Sequence, residues 1–230
     1  MRPLRRHVVT TLLGLAAGLS LSALASPTQP QDGAEYQTLN PAQPTDAGNK
    51  VEVIEFFAYY CPHCYAFEHS LEAWVKKQGD NIVFKRVHVS AGAGALPQQR
   101  LFYTLDAMDL LPQYHQKVFD AMHVEHQRLA SDDEVFDWAA KNGIDRARFI
   151  DTYRSFGIQA RLRRANSMMD AYQVQFWPMI VIDGRWQTSP SQAGSHMPEG
   201  SSEAQQQEAA LQVMDALVAK AKAETKDHAR

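Results

Sequence analysis

Cysteine is nearly absent. Two occur in 230 residues, at positions 61 and 64, so a framework of disulfides joining distant segments is excluded. An excess of positive charge is missing too: 23 Lys and Arg face 26 Asp and Glu, which argues against a nucleic-acid binder, normally a basic protein. No internal repeat is visible. With 45% hydrophobic and 21% charged residues, the chain is neither collagen, nor a disordered acidic tail, nor a multi-span membrane protein. The composition is that of a soluble globular protein.

What is present begins with an apolar leader. Arg2, Arg5 and Arg6 form a basic opening, residues 8–24 are apolar and small, and Ala23-Leu24-Ala25 is a small-x-small cleavage site. Residues 1–25 therefore read as a cleaved signal peptide. The rival is a permanent anchor, since the run matches the shortest spanning helix in length, but its Gly, Ser and Ala content and its cleavage site favour removal. His7-Val8-Val9 after Arg5-Arg6 fits a twin-arginine signal poorly, so export by the general route is expected. Cleavage removes 25 of 230 residues, among them three basic and no acidic ones, and moves the net charge from −3 to −6. The destination is an oxidising compartment in which a disulfide persists.

Residues 26–49, rich in Pro, Gln, Asp and Gly, read as an N-terminal arm with a short strand at 36–39. Residues 51–60 (VEVIEFFAYY) are apolar on both alternating faces, as in a central buried strand. A helix follows, with Phe67, Leu71, Trp74 and Val75 on one face and Gly79 placed to end it. A second strand at 82–89 then favours parallel pairing through a right-handed crossover. After Ala91-Gly92-Ala93-Gly94-Ala95-Leu96 come helices only. One covers 98–110, and Pro112 opens the next. Ser131 and Glu134 form a capping box for a third that Gly143 closes. Asp145 opens a fourth, and Gly157 separates it from a fifth that runs to about residue 172. Residues 178–182 return to strand, Asp183-Gly184 make a hairpin turn, and 185–188 pair back. A polar loop and a last helix over 203–222 complete a βαβ unit, a helical block and a ββα unit.

Both cysteines lie in Cys61-Pro62-His63-Cys64, where the central strand gives way to a helix. Four readings compete. A structural disulfide closing four residues would contribute only roughly 2 kcal/mol, against about 4.7 for a 100-residue loop. Structural zinc needs a second ligand pair about 12–20 residues on, and neither Cys nor His stands there; His69 is too close, and His123 with His126 is a weak pair. Covalent haem needs His after the second cysteine, where Tyr65 stands. Thiol–disulfide chemistry fits: Cys61 sits at a helix N-terminus, whose free N–H groups and dipole stabilise a thiolate. His63 adds a potential cation and donor in the same turn, and Pro62 rigidifies the first turn at little cost. Cys61 is expected to be exposed and ionised, with Cys64 turned inward. The reduced form is expected to be the more stable at pH 7, the reverse of a structural disulfide, which on these two terms requires a folded Cys61 pKa below roughly 5.5.

At these residues the chain resembles the DsbA family of periplasmic thiol oxidases, which has the thioredoxin fold. The matching segment runs from Glu55-Phe56-Phe57 through Cys61-Pro62-His63-Cys64-Tyr65 to Phe67-Glu68, and Pro-His between the cysteines is the family's dipeptide where thioredoxins carry Gly-Pro. Pro178 to Gly184 resembles the family's cis-proline strand and turn. The resemblance implies an α/β thioredoxin-like fold with a helical domain (91–169) inserted between βαβ and ββα halves (26–90 and 170–230). It matches Glu55 to a buried acid beneath the disulfide that relays a proton to the inner cysteine, against the plain alternative of a strand glutamate reaching solvent. It matches Pro178 to a cis-proline facing the disulfide, preceded by a residue whose backbone receives a substrate strand. That residue is Trp177, where a small β-branched residue is usual, and the departure bears on substrate preference and redox tuning.

The expected function is an exported, periplasmic thiol:disulfide oxidase. It transfers the Cys61–Cys64 disulfide to reduced secretory proteins and is reoxidised, by resemblance, by a DsbB-like quinone-linked membrane protein. No metal or organic cofactor is called for, and a monomer is expected. A disulfide isomerase or reductase is the alternative within the chemistry, although the 205 residues left after cleavage hold no room for a separate dimerisation domain. A peptide-binding chaperone with incidental thiols is the alternative from another class, and replacing both cysteines discriminates. Arg161, Arg163 and Arg164 read as a solvated helix face, and Met168, Met169, Phe102, Tyr103, Phe119, Phe136 and Trp138 as core of the helical block. His88 reads as a surface strand residue.

Overall fold

The computed structural model describes residues 26–228, so the signal-peptide reading lies outside the described residues. Strand β1 is Gln37–Thr38, and β2, Val51–Phe57, is buried along all seven residues. Beta-branched and aromatic side chains suit such a strand because both of its faces pack against other layers. It stops at Phe57 rather than continuing to residue 60, because residues 58–61 close a turn in which the Cys61 N–H donates to the Ala58 carbonyl at 3.1 Å.

Helix α1, Pro62–Gln78, has Pro62 in its first turn and ends at Gly79, whose φ of 51° lies in the left-handed region that favours glycine. Strand β3, Ile82–His88, pairs with β2 in parallel, Glu55 opposite Arg86. Helices α2 (Leu96–Ala107), α3 (Leu111–His123), α4 (Asp132–Lys141), α5 (Arg146–Tyr153) and α6 (Phe156–Ala171) form the block. Ser131 caps α4 by accepting from the Glu134 N–H at 3.2 Å, and Asp145 caps α5. The break between α5 and α6 falls at Ser155, not Gly157. The Ser155 hydroxyl accepts from the Ile158 N–H at 3.3 Å, and a serine cap outweighs the breaking tendency of a glycine in the first turn.

Strands β4, Met179–Ile182, and β5, Trp186–Thr188, form an antiparallel hairpin. Asp183 and Gly184 both have positive φ, 54° and 63°, as the central residues of a primed turn require, and the Arg185 N–H closes the turn on the Ile182 carbonyl at 3.0 Å. A Cβ on Gly184 would stand 2.1 Å from the Gln43 carbonyl oxygen, so the N-terminal arm packs directly on this turn. The loop after β5 holds one short helix, α7 (Pro190–Ala193), capped by Ser189. Helix α8, Glu203–His228, runs past the expected end at residue 222.

The sheet order is β1-β5-β4-β2-β3, with β2 parallel to β3 and antiparallel to β4. This is the split thioredoxin-like arrangement that the resemblance implies. Val51 and Val53 join Phe67, Leu71 and Trp74 of α1 and Val213, Met214 and Leu217 of α8 in one core. Ile54 and Phe56 join Leu101, Phe119 and Phe136 of the helical block in the other. The block therefore shares its core with one sheet face. Among the described residues no helix is long and apolar enough to cross a membrane.

Candidate active site

Cys61 is the N-cap of α1, with extended φ and ψ of −83° and 116°. The Cys64 N–H donates to its sulfur at 3.3 Å, the contact a capping oxygen would make in an ordinary helix. Both cysteines are free thiols. Their surroundings differ sharply. The hydrogen bond from the Cys64 thiol, then the N–H groups of Cys64 and His63, bring Cys61 down to about 6 against the opposing effect of burial. Burial above all, then the hydrogen bond to Cys61, pushes Cys64 well above the ordinary thiol range. One sulfur is built to carry charge and the other to keep its proton.

Cys61 is less open than its place at a helix start suggests, at 5% exposure. The covering segment is the loop before β4. The Trp177–Pro178 peptide is cis, the Cys61 thiol donates to the Trp177 carbonyl at 3.7 Å, and the Trp177 ring stands edge-on to Tyr60 at 6.2 Å. The Trp177 carbonyl, which forms the peptide bond to Pro178, thus lies against the Cys61 sulfur.

The His63 ring does not turn to the thiolate. Its Nδ1 pairs with Glu203 Oε1 at 2.8 Å, at the first residue of α8. That bond, opposed by desolvation and helped by the carboxylate charge, raises the His63 pKa, and the Cys61 charge adds to it last. What His63 gives Cys61 is first its backbone N–H and then its charge.

Glu55 does not reach solvent; it is 0% exposed. Arg86 of β3 donates through Nε to Glu55 at 3.0 Å and through Nη2 to Glu68 of α1 at 2.6 Å. Burial presses Glu55 up to about 8, against the pull of Arg86 and with the help of the Glu68 charge. Burial alone would raise Glu68 as well, but His115 and Arg86 hold it low. Glu55 and Cys64 lie close enough for the carboxylate to raise the thiol. Among the described residues no group of three or more His, Cys, Asp or Glu side chains converges as a metal site would require.

Sequence reasoning missed Arg86, Glu68 and Glu203. Arg86 carried a signal, because it lies opposite Glu55 in a parallel pairing already expected. Glu68 carried another, one turn beyond Cys64 in α1 and next to the buried Phe67. His88 is corrected outright. It is fully buried, because the end of β3 is covered by aromatic rings, Phe57 at 5.0 Å and Tyr59 at 5.2 Å. Burial drives its pKa down to about 3.

Residues 52–212 match the family described as DSBA-like thioredoxin domain. The thiol:disulfide interchange protein DsbA of Bordetella parapertussis is 40% identical over 186 residues, which cover 81% of this chain and 88% of that protein. DsbA of Burkholderia cepacia is 40% identical over 194 residues, or 83% and 90% of the two chains. The crystal structure of Pseudomonas aeruginosa DsbA superposes with a TM-score of 0.76 at 34% identity, covering 84% of this chain and 95% of the other. The match takes in the dithiol, the buried acid and the cis-proline strand together with the whole helical block, and the chain belongs to the DsbA-like thioredoxin-domain family.

Proposed function

We propose that this protein is an exported thiol:disulfide oxidase that gives its Cys61–Cys64 disulfide to reduced, unfolded secretory proteins. A client thiolate attacks Cys61. The Cys61–Cys64 bond breaks, its electron pair goes to the Cys64 sulfur, and that sulfur takes a proton. Glu55, whose carboxyl is held near neutrality by burial, is the group placed to supply it. A second client thiolate then attacks the client sulfur of the mixed disulfide, and Cys61 leaves as a thiolate. The client has lost two electrons and the enzyme has gained them.

The observation that carries this reading is the asymmetry of the two sulfurs, one lowered to about 6 and one raised. A stabilised Cys61 thiolate is a good leaving group and favours the dithiol product. Pro62 stiffens the turn, His63 and Glu203 set the charge at its outer side, and the Trp177 carbonyl with cis Pro178 receives an extended client segment. Reoxidation falls to a DsbB-like quinone-linked membrane protein, and a cleaved signal peptide over residues 1–25 delivers a monomer to the periplasm.

The test mixes the oxidised mature protein with an equimolar reduced client carrying two cysteines and follows client thiols by alkylation and mass. Loss of both client thiols matched by gain of both enzyme thiols is expected, and Cys61→Ala abolishes it. A chaperone would keep its effect on client folding in a variant lacking both cysteines. A reductase would instead drive a client disulfide to thiols from the reduced enzyme.

A further inference from the structure

Tyr59 stands two residues before Cys61 and is fully buried. Each of its three polar groups meets a different histidine. Its N–H donates to His88 Nε2 at 3.1 Å, and its carbonyl pairs with His123 Nε2 at 2.8 Å. Its hydroxyl pairs with His115 Nδ1 at 2.8 Å.

For His88 and His123 the partners fix where the protons lie. His88 accepts at Nε2, so its Nδ1–H donates to the Val89 carbonyl, 2.8 Å away. A carbonyl only accepts, so His123 donates from Nε2. The Glu68 carboxylate lies 3.4 Å from His115 Nε2, on the far side of the ring from the Nδ1 that shares a hydrogen bond with the Tyr59 hydroxyl. His115, Phe119 and His123 recur every four residues along α3 and so share one face. Phe119 packs on the Tyr59 ring at 5.0 Å, and Tyr65 of α1 stacks on His123 at 4.7 Å and 9°.

Tyr59 and Tyr60 are the central residues of the turn over 58–61 that delivers Cys61 to the start of α1. Common turn types differ by a flip of the peptide between those two residues. The carbonyl of that peptide is the one His123 holds. We propose that Tyr59 is the positioning residue through which the helical block fixes the reacting thiol, with His123 holding the peptide of the Cys61 turn in one orientation. The proposal rests on the oxidase reading for its consequence, but its geometry can be tested without it. If the peptide flips, Cys61 loses its fixed approach to the N–H groups of His63 and Cys64, which hold its charge.

The test uses the mature chain and three variants. His123→Leu removes the donor, His123→Gln keeps one, and Tyr59→Phe removes the hydroxyl alone. The readouts are thiolate absorbance against pH for Cys61 and the equilibrium with glutathione. In His123→Leu the Cys61 midpoint is expected to rise by about one pH unit, with a matching fall of up to about tenfold in the tendency to oxidise glutathione. His123→Gln restores most of both, and Tyr59→Phe gives a smaller shift of the same sign. Ile158→Val, in the core of the block far along the chain from the turn, serves as control, lowering thermal stability with the midpoint unmoved. An unmoved midpoint in His123→Leu overturns the proposal, and so does a shift that His123→Gln fails to reverse or that the control reproduces. Should the wild type fail to oxidise a client, the oxidase reading falls, while the Cys61 titrations still decide the role of Tyr59.

Discussion

Two ion-pair sites flank the dithiol, and they use the same side-chain chemistry to opposite ends. On the outer side His63 meets Glu203, with side chains 69% and 46% exposed. On the inner side Glu55, Arg86 and Glu68 sit at 0%, 18% and 1%. In water, charges are screened and a pair contributes little. Under the sheet, each charge must be compensated or give up its ionisation. The outer pair therefore lies in screened water, while the inner cluster keeps Glu55 protonated near neutral pH and ties β2, β3 and α1 together.

Breaking the inner cluster gives the largest effect. Arg86→Met leaves the ionised Glu68 without its cation and Glu55 without its donor, and a loss of about 3–5 kcal/mol is expected in guanidinium melts at pH 7. A loss below about 1 kcal/mol would mean that Glu68 is neutral as well as Glu55.

Glu55→Gln sharpens the same contrast through pH. The folded pKa of Glu55, about 8, lies above its ordinary 4.5. Its contribution is complete below the ordinary value and is lost as pH rises through the folded one, at about 1.4 kcal/mol per pH unit. Melts of the oxidised protein, in which neither sulfur titrates, are expected to weaken between pH 4.5 and 8 in the wild type and to flatten in Glu55→Gln. Equal slopes in the two proteins would remove Glu55 from the account.

The dithiol itself gives a smaller effect of the opposite sign. Cys61 is lowered from 9.0 to about 6. The stability it lends the reduced form is therefore complete above 9 and is lost as pH falls through 6. At pH 7 this amounts to about 1.4 kcal/mol before solvent screening trims it, against roughly 2 for closing the four-residue loop. A folded pKa of about 6 does not reach the 5.5 that a more stable reduced form needs at pH 7 on these two terms. Near-balance at pH 7 is expected instead, with the reduced form moving ahead between about pH 7 and 8. Paired melts of the two redox forms over pH 5–9 locate the crossing. A reduced form well ahead at pH 7 would show that the native loop also disfavours the closed disulfide.

The smallest effect is outside. Glu203→Gln removes the carboxylate that raises His63, so the His63 midpoint falls in an NMR titration, while Cys61 moves by less than about half a pH unit. A larger movement of Cys61 would place the outer pair on a par with the inner cluster.

These contrasts were partly legible. The run over 51–60 announced a strand buried on both faces, whereas Glu55 inside it was marked as a buried acid by the family resemblance and not by the run itself. Its cation was harder to see, because Arg86 is one of several basic residues until parallel pairing sets it opposite Glu55. His88 was misread because a strand end looks exposed when the helices that will cover it come later in the chain. Glu203 lies 140 residues from His63, and no periodicity links them. Gly157 was mistaken for a breaker because the capping power of Ser155 depends on where the backbone turns.

The sequence alone determined what depends on neighbours along the chain: the helix start at Pro62, the cap at Ser131, the Asp183-Gly184 turn and the dithiol at a strand-to-helix junction. Local backbone preference and side-chain periodicity act over a few residues and are written there directly. Only the tertiary structure decided which charge compensates which, how far Trp177 covers Cys61, and that three histidines converge on Tyr59. Those outcomes turn on burial and on distances between segments far apart in the chain. Desolvation and hydrogen-bond partnership exist only once the layers have closed.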